Sequence, residues 1–141
     1  MNVYKRIFLD TSPLIYFLDE NSIFKPNMDK IFYEILNQGS TLITSTITVE
    51  EFLVYPYRKA DFTAIQGFHN FIKDKKISVL KIDVNIAVEA AKIRAEYQHF
   101  KSMDALQLAA AICSRCDLFL TNDKQLKQFD KISCMTVAEW S

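Results

Sequence analysis

The chain has 141 residues, 50% hydrophobic and 24% charged, with 17 Lys and Arg against 17 Asp and Glu. This size favours a single domain over residues 1–141, and the balance excludes a disordered chain. Zero net charge argues against a sequence-blind nucleic-acid coat, although a local basic rim still acts within a Debye length. No apolar run approaches the roughly 20 residues of a membrane span. The start, MNVYKRIFLDTSPLIYFLDE, carries Asp10, Asp19 and Glu20 and does not read as a signal peptide, so a cytoplasmic protein without membrane contact is expected.

RIFLD (6–10) is a short apolar run suited to a strand buried on both faces. Ser12-Pro13 marks a helix start, with Ser as N-cap and Pro at the first helical position. MDKIFYEILNQG (28–39) reads as a helix ending at Gly39. TLITS (41–45) is a second strand, and ITVEEFLVY (47–55) and DFTAIQGFHNFIKD (61–74) are helices. Between them VYPYRK reads as a turn broken at Pro56. ISVLKI (77–82) is a strand, VNIAVEAAKIRAEYQ (84–98) and MDALQLAAAICSR (103–115) are helices, LFLTN (118–122) is a strand and KISCMTV (131–137) a weaker one. Short apolar strands alternating with helices give an α/β fold: a mostly parallel sheet of about five strands in three α/β/α layers.

Four apolar segments each run into acid. Asp10 ends IFLD, Glu50 and Glu51 follow LITSTITV, Asp104 opens the alanine-rich helix, and Asp123 follows LFLTN. In open parallel sheets ligands bind outside the carboxyl ends of the strands, so these acids are expected to share one pocket. Each acid also has a local explanation. Asp104 suits a helix first turn behind a Ser102 N-cap. Thr48-Val-Glu-Glu51 reads as a capping box. Asp123 suits the cap of KQLKQF, and Asp10 the turn leading to Pro13. Together they exceed what helix ends require. Clustered like charges repel unless a cation intervenes, and all-oxygen donors suit Mg²⁺ or Mn²⁺. One or two such ions support phosphodiester hydrolysis by a metal-activated water.

Other chemistries find less support. The two His residues lie in helical stretches without a triad pattern, and two glycines cannot build a phosphate loop. Asp10-Thr11-Ser12 lacks the second Asp of a D-x-D-x-T phosphatase, and a receiver-type domain leaves Asp104 and Asp123 unexplained. Cys113-Ser-Arg-Cys116 matches C-x-x-C, but at the end of a helix rather than its start. With Cys134 the count is odd, so free thiols are expected.

FLDTSPLIYFLD, STITVEEFL, KSMDALQLAAAI and LFLTND, in that order and over nearly the whole chain, resemble the PIN domain, and within it the VapC-like toxins of type II toxin–antitoxin systems. The resemblance implies an Mg²⁺- or Mn²⁺-dependent endoribonuclease, inhibited by a cognate antitoxin protein and usually homodimeric. It assigns the catalytic and metal-binding acids to Asp10, Glu51, Asp104 and Asp123, and supporting hydroxyls to Thr11 and Thr121. Glu51 is preferred to Glu50 because Phe52 follows it and Thr48 precedes it in the family's register. The chain lacks the Gly that members often carry soon after this Glu. Lys101 is placed to meet an RNA phosphate, and Tyr57, Arg58 and Lys59, with Tyr55, are candidate RNA contacts. Phe62, Phe68 and Phe71 either belong to the core or form a partner groove. A housekeeping RNA-processing nuclease, and an inactive module binding RNA or protein, are the alternative readings.

Overall fold

The computed structural model describes residues 3–140. β-Branched and large apolar runs form β1 (Arg6–Leu9), β2 (Thr41–Ser45), β3 (Ser78–Leu80), β4 (Leu118–Thr121) and β5 (Ser133–Thr136). All four pairings are parallel, and the strand order is β3-β2-β1-β4-β5. The helices are α1 (Thr11–Leu18), α2 (Lys25–Asn37), α3 (Thr46–Arg58), α4 (Phe62–Asp74), α5 (Val84–Glu96) and α6 (Ser102–Cys113). Short 3₁₀ turns at Lys124–Gln128 and Val137–Glu139 precede and follow β5.

Strand periodicity divides the core into two layers. Ile7, Leu9, Leu42, Leu118 and Leu120 point to one face, where they pack with Leu14 of α1, Ile31 and Ile35 of α2, and Trp140. The alternate residues Phe8, Ile43 and Phe119 point to the other, against Ile86 and Ile93 of α5 and Leu108 of α6. Phe8 and Phe119 stack in parallel with centroids 5.3 Å apart. Alanines 105, 109, 110 and 111 are fully buried, and such small side chains let a helix approach its neighbours closely. Leu53, Ile65 and Phe68 close a smaller cluster between α3 and α4. Phe68 and Phe71 are therefore core, whereas Phe62 is 70% exposed.

Helix starts differ from the sequence expectations in ways that matter to the acids. Asp10, not Ser12, caps α1: its backbone is extended and its carboxylate accepts the Thr11 N–H. Pro13 still falls in the first turn, where a missing N–H costs nothing. Ser45, the last residue of β2, caps α3 through the Ile47 N–H, so no capping box forms at Thr48, which is fully buried. α6 begins at Ser102 itself; Lys101 is the N-cap residue and makes no side-chain cap bond, while Ser102 Oγ accepts from Arg94. α3 runs through Pro56 to Arg58 instead of breaking. The ring is buried, and Pro56 sits near the helix end, where only one internal N–H bond is forgone.

Candidate active site

The strand order sets the location. From β1 the sheet grows one way through β2 to β3 and the other way through β4 to β5. The order reverses at β1 and β4, and in such sheets ligands bind outside the carboxyl ends of the strands at that point. Asp10 leaves β1 at that point, tied to the neighbouring strand by its N–H donating to the Leu120 carbonyl at 3.0 Å.

The Asp10 carboxylate is held from several sides. Oδ1 accepts the Thr11 N–H at 2.9 Å, and Gln107 Nε2 stands 3.4 Å from the same oxygen. Oδ2 accepts from the buried Thr121 hydroxyl at 2.8 Å. Burial raises its pKa most; the Thr121 and Thr11 donors work against that, Glu51 adds repulsion, and Gln107 partly offsets it. Thr121 Oγ1 also accepts the Asp123 N–H at 3.2 Å, so one hydroxyl links the exits of two strands.

Glu51 arrives by another route. It lies in the second turn of α3 rather than directly after a strand. Thr11 Oγ1 donates to Glu51 Oε1 at 2.6 Å, which joins it to the residue beside Asp10. Glu50 is exposed, and its carboxylate makes no hydrogen bond among the described residues. The structure thus brings Glu51, not Glu50, to Asp10.

Asp104 lies in the first turn of α6, half-buried, and accepts no hydrogen bond among the described residues. Burial pushes its pKa up to about 6, and the charges of Asp10, Asp123 and Glu51 push the same way, with Lys101 opposing. Asp10, Asp123 and Glu51 therefore all lie near enough to act on Asp104, and Lys101 stands close enough to be felt. Asp123 caps the following 3₁₀ turn through Oδ1, which accepts the Gln125 N–H at 2.9 Å.

These donors suit a hard divalent cation. Among the described residues no three His, Cys, Asp or Glu side chains close around one point. Mg²⁺ does not require this, because it is commonly held by one or two carboxylates with waters and substrate phosphates completing its shell. Each acid keeps capacity for it. Asp10 spends three of about four lone-pair sites, Glu51 and Asp123 each keep one oxygen unclaimed, and Asp104 keeps both.

Three residues that the sequence does not single out as site residues lie beneath the acids: Ser45, Thr48 and Gln107, all buried and hydrogen-bonded together. The available signal is a lone Gln in the apolar run LQLAAAI, three positions after Asp104 and so on the same helix face. The RNA-contact candidates divide. Tyr55 and Lys59 line a groove of about 660 Å³ that begins at Glu51, and Lys59 Nζ stands 5.5 Å above the Tyr55 ring. Tyr57 and Arg58 are exposed on the last turn of α3 and do not line that groove. Both His residues are exposed, and Cys113, Cys116 and Cys134 are free thiols.

The PIN domain family model matches residues 7–132. No curated protein matches the chain. Among solved structures, a toxin–antitoxin complex from Klebsiella pneumoniae superimposes with TM-score 0.70 at 21% identity, over 93% of this chain and 97% of that one. VapBC2 from Rickettsia felis, bound to a DNA fragment from its promoter, gives TM-score 0.74 at 15% identity over 93% and 98%. The Mycobacterium tuberculosis toxin VapC20, which cleaves the sarcin–ricin loop, gives 0.70 at 14% over 86% and 93%. At these identities the likeness is one of fold.

Proposed function

The chain belongs to the PIN domain family, and from that premise we propose that it is a metal-dependent endoribonuclease acting as the toxin of a type II toxin–antitoxin pair. What supports the proposal is that Asp10, Glu51 and Asp123, from three other parts of the chain, all lie near enough to act on Asp104, beside the switch point of a parallel sheet. Helix capping explains Asp10 and Asp123. It does not explain a half-buried Asp104 that accepts no bond, or a Glu51 aimed by a threonine at the same edge.

Asp10 and Asp104 would anchor the ion, Mg²⁺ or Mn²⁺, with Glu51 and Asp123 completing the site directly or through water. When bound, the ion supplies positive charge for the scissile phosphate and acidifies a water for attack on it. The chain does the rest. Thr121 and the Thr11 N–H hold Asp10 in one orientation, Thr11 holds Glu51, and the Lys101 ammonium at the start of α6 meets the approaching phosphate.

Antitoxin binding is supported by the groove that starts at Glu51. Its apolar lining includes Ile15, Leu18, Phe52 and Pro56, and its charged lining is three acids, Asp19, Glu51 and Asp61, against Lys59. An apolar lining with a net acidic balance suits an amphipathic, cationic segment. A homodimer follows from the same family reading. Among the described residues no helix is long and apolar enough to cross a membrane, in keeping with a protein that acts on cytoplasmic RNA.

The test is incubation of antitoxin-free protein with total cellular RNA and Mg²⁺ or Mn²⁺, followed by sequencing of new 5′-phosphate ends. Discrete cuts that vanish with chelator and in Asp104→Asn are expected. Absence of cuts from protein shown to bind Mn²⁺ would replace the nuclease with a binding module. Growth arrest on induction, lost in Asp104→Asn, separates a toxin from a housekeeping nuclease.

A further inference from the structure

Beneath the acids runs a buried hydrogen-bond relay. Ser45 Oγ accepts the Ile47 N–H at 3.1 Å as the cap of α3, so its own proton goes to Gln107 Oε1. The Gln107 amide is only 2% exposed. Its amino group faces Thr48 Oγ1 at 2.8 Å and Asp10 Oδ1 at 3.4 Å. The opposite orientation would set a carbonyl oxygen against a buried carboxylate. Thr48, having accepted from Gln107, has one proton left. Thr11 also has one, and the Glu51 carboxylate at 2.6 Å takes it. The Thr11 and Thr48 hydroxyls also meet at 3.3 Å. These contacts link Ser45, Gln107, Thr48, Thr11 and Glu51, with a branch from Gln107 to Asp10.

Stability alone gives no reason for such a relay. The rest of the buried face of α6 is Ala105, Leu108 and alanines 109 to 111. Replacing all partners of a buried polar network by apolar groups of similar shape is often neutral or better. What the relay does is join α6, which carries Asp104, to the exit of β1, which carries Asp10, and to α3, which carries Glu51.

We propose that Gln107 and Thr48 are positioning residues that set the direction and spacing of Asp10 and Glu51 for a divalent cation; this rests on the metal-nuclease reading above. The experiment compares wild type, Gln107→Leu, Thr48→Val and Thr48→Ser in three measurements: direct Mn²⁺ titration of the RNA-free protein, RNA cleavage kinetics, and thermal unfolding. Gln107→Leu and Thr48→Val are expected to weaken Mn²⁺ affinity and lower kcat by roughly 10- to 100-fold, the range for lost outer-shell partners. KM for RNA should stay within about twofold. Thr48→Ser keeps the hydroxyl and should restore both Mn²⁺ affinity and kcat. If Gln107→Leu does not fold, the Thr48 pair decides. Folded variants with wild-type Mn²⁺ affinity and kcat, even with a lowered melting temperature, would overturn the proposal and leave the relay a packing device. Wild-type protein that neither binds Mn²⁺ nor cuts RNA would overturn the nuclease reading and this inference with it, and that failure is distinct because it appears without any substitution.

Discussion

Asp104→Asn separates two accounts of the acid at the mouth of α6, because they predict opposite signs. If Asp104 is a helix-terminus acid, its charge stabilises the fold by about 0.3–1 kcal/mol and Asn removes that. If it is a binding carboxylate forced into a crowded acidic pocket, its charge destabilises the metal-free fold. A carboxyl moved from 3.8 to about 6 by burial and by Asp10, Asp123 and Glu51 costs up to about 3 kcal/mol when ionised. The side chain is only half-buried, so solvent screening reduces this to about 1.5 kcal/mol. Subtracting the helix-terminus contribution leaves about 1 kcal/mol, roughly 3 °C for a domain of this size. The sign follows from proton binding. Between about pH 4 and 6 the folded state holds the proton that the unfolded state has released, so wild type loses stability as pH rises through that window. In chelator, Asp104→Asn should therefore match wild type near pH 4 and melt about 3 °C higher near pH 7.5. Saturating Mn²⁺ should reverse the order, since a ligand at about 100 times its Kd adds about 2.7 kcal/mol to the form that binds it. Thermal unfolding at the two pH values, with and without metal, measures all four quantities. An Asn variant that is less stable than wild type at pH 7.5 in chelator would refute the binding-carboxylate argument.

Further outcomes follow from the same geometry. At limiting Mn²⁺, RNA cleavage should fall as pH drops through about 6, because protonated Asp104 cannot ligate; a profile flat from about pH 5 to 8 would contradict this. Glu51→Gln should abolish metal-dependent cleavage while Glu50→Gln leaves it near wild type, since only Glu51 joins the Thr11 bond; equal losses in the two variants would count against the register chosen for this site. Thr121→Val strips a donor from Asp10 and an acceptor from the Asp123 N–H, and should cost about 2 kcal/mol in urea unfolding, as for a hydrogen bond to a charged group. Burial pushes the Cys134 thiol up to about 12, with the Asp10 charge adding to it, whereas Cys113 is exposed. Alkylation of native protein at mild pH, read by mass spectrometry, should therefore modify Cys113 first and Cys134 only on unfolding.

The sheet was legible in the sequence because its signal is local. RIFL, TLITS and LFLT are short β-branched and large apolar runs, and a strand buried on both faces needs nothing else. Three of the four acids announced themselves by standing beside such runs or at a helix start. Glu51 was harder, because its approach depends on where α3 begins. That is set by Ser45, which is both the last strand residue and the helix cap. Moving the start of a helix by one residue turns every side chain by about 100°, and so decides which of two adjacent glutamates faces Thr11. The same long-range dependence hid the relay. Gln107 meets Ser45 across 62 positions and Asp10 across 97, and no periodicity in LQLAAAI names those partners. The passage of α3 through Pro56 was missed for the converse reason: the local rule for proline is strong, and near a helix end its cost is small enough for tertiary burial to override. In each case the residue type was visible in the chain and its partner was not. Asp10, Asp104 and Asp123 could be found from sequence because each marks the end of an element, whereas what orients the acids is fixed only when α3 and α6 pack across the end of β1.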